Sequence, residues 1–188
     1  IHLCGCQALI RILMDQDEVA EQAVAQADII RREMDTVPWQ LSLWLKARAA
    51  LSLHRLQSQP GNAQQGVIAK QREPALKACR RFVKQTRCVA QHRTDAYRML
   101  GEYYWLIQKP EKALKWWRQS IRAGRQLGAR LELARTYFEI GRRLSKWERP
   151  STTMDGLDAP AYLKMARELF EAMDLDWDLD RLNRLERR

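Results

Sequence analysis

The chain has 188 residues, enough for one domain with a core of its own, and a formal charge of +10 that permits an acidic partner without dictating a fold. No apolar run reaches the length needed to cross a bilayer, which excludes a membrane-spanning helix. The opening IHLCGCQALIRILMDQDE is charged too early for a secretory signal, and a start at Ile1 without methionine leads us to expect a piece of a longer protein.

Apolar residues recur at three and four throughout, so the chain reads as helix nearly end to end, with no strand candidate. The first helix is expected at about 2–14. DQDE then supplies a turn and an acidic start for a second helix at about 17–34, which suits the helix dipole. Pro38 opens a third helix that runs to about Leu56. QSQPGNAQQGVIAKQRE, rich in Gln, Gly and Pro, reads as a mobile loop over 57–73. Helices follow at about 74–89 and 93–107. QKPEK makes a tight turn, and Pro110 opens a sixth helix to about 125. Gly124 and Gly128 read as helix terminators before a seventh helix at about 128–145. A second loop, SKWERPSTTMDGLDAP, precedes an eighth helix at about 160–173, and a short final helix caps the end. The alternating Asp174, Asp176, Asp178 and Asp180 lack the glycine and distant glutamate of a calcium loop and read as a solvated linker with an acidic helix start.

Self-similarity appears within this pattern. Leu100-Gly101-x2-Tyr104 recurs as Leu133-Ala134-x2-Tyr137, 33 residues later. Ala-x3-aromatic occurs as Ala78-x3-Phe82, Ala113-x3-Trp117 and Ala166-x3-Phe170. A small residue in one helix lets the next pack close, and large residues such as Tyr104, Trp117, Tyr137 and Phe170 fill the gaps between hairpins. This order and period resemble the tetratricopeptide repeat. The resemblance implies an all-α, right-handed superhelical solenoid of about four helix pairs: 2–34, 38–89, 93–125 and 128–173, with a cap at 174–188. Further, LGARLELARTYFEIGRRL and AYLKMARELFEAMDLDWDLDRL resemble the last repeats of large bacterial signalling proteins, in which a kinase or nucleotide cyclase and a STAND-type ATPase precede a helical tail. That likeness implies that catalysis lies upstream and that this piece is a sensor or scaffold.

In such a stack the first helices line a concave groove. The residues one step off the packing face are Asp95, Arg98, Glu102 and Trp105 in one repeat, and Leu131, Arg135, Phe138 and Glu139 in the next. Mixed charge beside aromatics suits a protein partner, as an extended peptide or a helix, with rings as anchors and arginines as clamps. The runs RRFVKQTR (80–87) and KWWRQSIRAGR (115–125) place cations on second helices, on the convex side. They support an alternative reading, a nucleic-acid-binding stripe, if exposed aromatics such as Trp116 join them.

Nothing points to catalysis. His2, His54 and His92 fall on different helices or helix ends, and no phosphate-binding glycine motif occurs. Cys4, Cys6, Cys79 and Cys88 have no histidine at zinc spacing and read as plain thiols of a reducing, cytoplasmic setting. No cofactor and no metal is expected.

Overall fold

The structure is a computed structural model that describes residues 1–58, 65–147 and 153–187, without the side chains of 65–69. Among these residues there are nine α-helices: α1 (His2–Leu13), α2 (Asp17–Glu33), α3 (Pro38–Gln57), α4 (Gln65–Gln85), α5 (Arg93–Leu106), α6 (Pro110–Leu127), α7 (Arg130–Leu144), α8 (Ala159–Glu171) and α9 (Asp176–Glu186). A single 3₁₀ turn, Ala90–His92, precedes α5. The described residues hold no strand, only an isolated bridge between Met154 and Leu157. No described helix is long and apolar enough to cross a membrane.

The helix boundaries follow local chemistry. Pro38 and Pro110 sit in first turns, where a missing N–H costs no intrahelical bond. Asp158 caps α8 by accepting the Ala161 N–H at 3.0 Å. Gly128 ends α6 in the left-handed region at φ 63°, a conformation that costs a residue with a Cβ. Gly124 is not a second terminator. It lies inside α6, where a Cβ would stand 3.1 Å from the Leu133 Cβ and 3.2 Å from Thr94 Cγ2, so close approach of α7 and α5 is its role.

The expected loop over 57–73 is much shorter than composition suggests. Residues 59–64 lie outside the described residues, but 65–73 are already helix, and Pro74 sits inside α4. Ala69, Lys70, Gln71, Arg72 and Glu73 are strong helix formers, and here their propensity prevails over the nearby breaker residues. In the second expected loop, 148–152 lie outside the described residues, while 153–158 form a turn anchored by Met154, which is fully buried. The Tyr162 hydroxyl donates to the Met154 carbonyl oxygen at 3.0 Å.

From α1 to α5, each odd-numbered helix packs against the helix that follows it and against the next odd-numbered one. Thus α1 touches α2 and α3, α3 touches α4 and α5, and α5 touches α6 and α7. α7 then packs on α8, and α8 on α9. The pairing of α5 with α6 rests on Gly101. A Cβ there would lie 2.5 Å from Cδ1 and Nε1 of Trp117, so the indole occupies the space a side chain would need. Trp117 is fully buried, and its Nε1–H donates to the Arg98 carbonyl oxygen at 3.2 Å. Gly141 plays the same part in α7, where a Cβ would lie 2.7 Å from Leu163. Ala113, Ala134 and Ala166 are also wholly buried, with Tyr137 and Phe170 beside them.

Two details of the repeat register differ. In α4 the innermost small residues are Ala75 and Cys79, with Phe82 completing the stripe, while Ala78 is only half-buried. In α5 Tyr103 fills the core and Tyr104 is half-buried, its ring beneath the Lys112 ammonium. A one-residue error is hard to avoid on a helix, where neighbouring positions differ by only about 100°.

Gly101→Ala is expected to destabilise the fold by about 1–3 kcal/mol through overpacking against Trp117, and Trp117→Ala by about 3–5 kcal/mol through loss of a buried ring. The double variant should cost less than the two losses combined, because the truncated ring removes the clash. Urea unfolding of the three variants measures this. Strict additivity would mean that Gly101 does not face Trp117.

Candidate binding groove

The inner ends of α1, α3, α5 and α7, together with α9, enclose a recess of about 450 Å³. α1 contributes an apolar wall of Leu9, Ile12 and Leu13, and α3 contributes Lys46, Ala50, Leu53, His54 and Gln57. The opposite wall carries Arg98, Glu102, Arg135, Phe138 and Glu139. Spacings of three and four put each helix's contribution on one face.

Five of the eight groove residues expected from sequence therefore line this recess. Asp95 lies beneath it, 1% exposed. Trp105 and Leu131 do not line it. Trp105 instead joins an aromatic cluster, 5.3 Å from Trp117 and 4.4 Å from Trp147 between ring centroids. Ten residues separate Asp95 from Trp105, so at about 100° per residue the two side chains leave the helix about 80° apart and cannot both face the same hollow.

The floor is a continuous network of charges. Asp95 pairs with Lys46 from α3 and with Arg98 Nη2 at 2.9 Å. Glu102 lies 3.2 Å from Arg143 and 3.8 Å from both Arg98 and Arg142. Glu139 accepts from Arg142 Nη2 and Arg143 Nε, each at 2.6 Å. Arg143 also donates to Gln57 Oε1 at 3.1 Å, tying α7 to α3. At the far end Arg135 grips Asp178 through two bonds of 3.2 and 2.8 Å. Asp178 is thus a buried anchor for α9, not the solvated linker residue expected from the alternating aspartates. Its 4% exposure follows from α9 folding back against α7, a tertiary event that local composition does not encode. Arg181 lies between two rings, its guanidinium carbon 4.7 Å from the Trp177 centroid and 5.3 Å from that of Phe138.

Burial sets the protonation of this floor, and the neighbours then decide its direction. Burial would raise Asp95, but Lys46 and Arg98 outweigh it and hold the carboxyl far below its ordinary range. Burial opposes Glu139 too, yet Arg142 and Arg143 hold it down at about 2. Glu102 goes the other way: burial and the adjacent Glu139 charge raise it against the pull of Arg143, Arg142 and Arg98. Burial lowers Arg181, and the nearby Arg142 adds to that effect. Burial likewise pushes the Cys79 thiol well up, which leaves it a poor nucleophile.

Sequence reasoning missed the lining from α1 and α3, along with Arg142, Trp177 and Arg181. A signal existed for α3, where Lys46, Ala50, Leu53 and Gln57 recur at helical spacing. None existed for α9, whose place depends on its return to the groove. On the second helices Arg118 pairs with Asp155 at 2.7 Å, and Arg125 donates to the Tyr137 hydroxyl oxygen at 3.2 Å. Trp116 is half-buried, one side of its ring against Tyr97 at 5.5 Å between centroids, so it is less exposed than the stripe requires. No group of three or more His, Cys, Asp or Glu side chains able to hold a metal ion gathers among the described residues. Compared with known proteins, the chain matches no family model, no curated protein and no solved structure.

Because the folded Glu139 carboxyl titrates below its ordinary 4.5, its stabilising effect is complete above pH 4.5 and is lost as pH falls toward 2. Glu139→Gln is expected to cost about 3 kcal/mol at neutral pH, since it leaves Arg142 and Arg143 without their main counter-charge. That gap from the parent should close as pH falls from 4.5 to about 2. Thermal unfolding of both chains across this range measures it. A gap independent of pH would show that Glu139 acts by shape alone.

Proposed function

We propose that this chain is a non-catalytic interaction module, a scaffold or sensor of a bacterial signalling protein working in the cytoplasm. On this reading four helical hairpins stack in tetratricopeptide fashion into a right-handed solenoid capped by α9. The recess holds anchor residues of a protein partner, and any catalysis belongs to other segments of a longer protein.

One observation carries the proposal: every odd-numbered helix from α1 to α9 turns side chains into a single recess. A row of like-placed helices facing one hollow is how stacked hairpins make a binding surface. The volume, about 450 Å³, is that of a pocket for a compact ligand. It therefore takes a few side chains of a peptide or helix, not an extended segment along its whole length. Leu9, Ile12 and Leu13 offer an apolar seat, and Arg98, Arg135 and Arg142 stand opposite as hydrogen-bond donors. Their geometry is already held by the carboxylates beneath, so little side-chain freedom remains to be lost on binding. The alternative, nucleic acid along the convex cations of α6, has less support, because Arg118 and Arg125 are already engaged and Trp116 is packed against Tyr97.

Leu13 and Trp177 rim the recess at 59% and 44% exposure, so they can be changed without emptying the core. Leu13→Asp combined with Trp177→Ala should alter stability by less than about 1 kcal/mol. Peptides selected on the parent chain from a displayed random library should bind this variant at least about tenfold more weakly, as expected for lost anchor contacts. Equal binding of those peptides to both chains would move the partner site elsewhere.

A further inference from the structure

A second concentration of charge lies on the face of α3 opposite the groove. The Trp44 ring is fully buried there, and arginines from three helices surround it. The guanidinium carbons of Arg31 on α2, Arg48 on α3 and Arg81 on α4 stand 5.4, 5.1 and 5.2 Å from the ring centroid. The indole quadrupole attracts cations and helps to gather them, but it does not neutralise them. Among the described residues the one carboxylate paired with this trio is Asp28, 2.8 Å from Arg48 Nη1 and 3.6 Å from Arg31 Nε. Arg31 Nε has no hydrogen-bond acceptor among the described residues, and Arg81 has no carboxylate partner among them. Partial burial holds Arg81 below its ordinary value, and the like charges of Arg48 and Arg31 add to that effect.

Beside this trio a recess of about 510 Å³ opens between α3 and α4. Lys70, Lys77 and Arg81 line its α4 wall on one helical stripe, opposite Arg48 and Ser52, with Glu73 as the one carboxylate in the lining. Five cations thus meet two carboxylates, Asp28 and Glu73.

We propose that this recess is an oligophosphate site, taking the adjacent phosphate groups of a free di- or triphosphate. Arg48 and Arg81 grip one phosphate with paired N–H donors, and Lys70 and Lys77 meet the next as point charges. Guanidinium forks match phosphate oxygens two at a time, and lysines supply charge without a fixed geometry. A lone carboxylate ligand would leave most of the excess charge uncompensated. A nucleic-acid backbone needs a track of cations and exposed rings to stack on. Here the charge is held in one recess, and Trp44 is sealed beneath the guanidiniums. On the basic helix α6, Arg118 is paired with Asp155 and Arg125 with the Tyr137 hydroxyl. The site shares no residue with the groove, so it stands or falls independently of the interaction reading.

Calorimetric titration of the full chain with sodium tripolyphosphate, and separately with inorganic phosphate, tests this. One site per chain is expected, at least about tenfold tighter for tripolyphosphate because more charged hydrogen bonds form. Arg81→Gln should weaken binding about tenfold and Lys77→Gln about threefold. Lys77→Gln should melt with the parent and Arg81→Gln close to it, since neither side chain has a carboxylate partner among the described residues and Arg81 gives up only its contact with the Trp44 ring. Arg122→Gln on α6 should bind as the parent does. Three results would overturn the proposal. One is the absence of saturable one-to-one binding. Another is parental affinity in both α4 variants. The third is an oligonucleotide, or vesicles bearing phosphoinositide, that binds the chain and is not displaced by tripolyphosphate.

Discussion

Close approach between paired helices is the constraint on which everything else in this molecule rests. Gly101 surrenders its side chain so that the Trp117 indole can lie against the backbone of α5, and Gly141 does the same for Leu163 of α8. Dispersion is short-ranged, so a gap of even half an ångström would forfeit much of the attraction between these surfaces. The same closeness lets the Trp117 N–H reach a backbone carbonyl and leaves no buried donor unmatched there. Once α5 is fixed against α6, its other face is committed to the recess, and Arg98 and Glu102 have nowhere else to point.

The charged floor of the groove is a costly arrangement that the fold makes tolerable. Isolated buried carboxylates would take up protons, yet Asp95 and Glu139 are each held ionised by two cations. Those cations come from α3, α5 and α7, so the network also records which helices lie side by side. A substitution at one of its members is accordingly felt on a neighbouring helix. Glu102 is the member whose surroundings resist its charge, through burial and through Glu139. It sits where two arginine clusters meet, the place where a ligand's own charge would change the balance most.

Much of the secondary structure is legible in the sequence alone. Prolines 38 and 110, Gly128 and the spacing of apolar residues locate most helix ends to within a few positions, because capping and turn chemistry are local. The failures were local conflicts settled by context. Helix formers in 65–73 prevailed over the Gln, Gly and Pro around them, and Pro74 was absorbed into α4. Five of the eight proposed groove residues line the recess for a similar reason: a helical stripe can be read once its packing face is known. Trp105 and Leu131 missed because the stripe was extended too far along each helix.

The sequence by itself therefore determined an all-helical chain and its punctuation, since these depend on residues within a turn or two of one another, and its recurring small and aromatic residues marked the packing stripes of neighbouring helices. Tertiary structure alone decided that α1 and α9 would complete the recess with Leu9, Trp177 and Arg181, and that Asp178 would be buried under Arg135. It alone also gathered Arg31, Arg48 and Arg81 from three helices onto one indole. These groups lie tens of residues apart in the chain, and only the angle at which each helix meets the next brings their charges within reach.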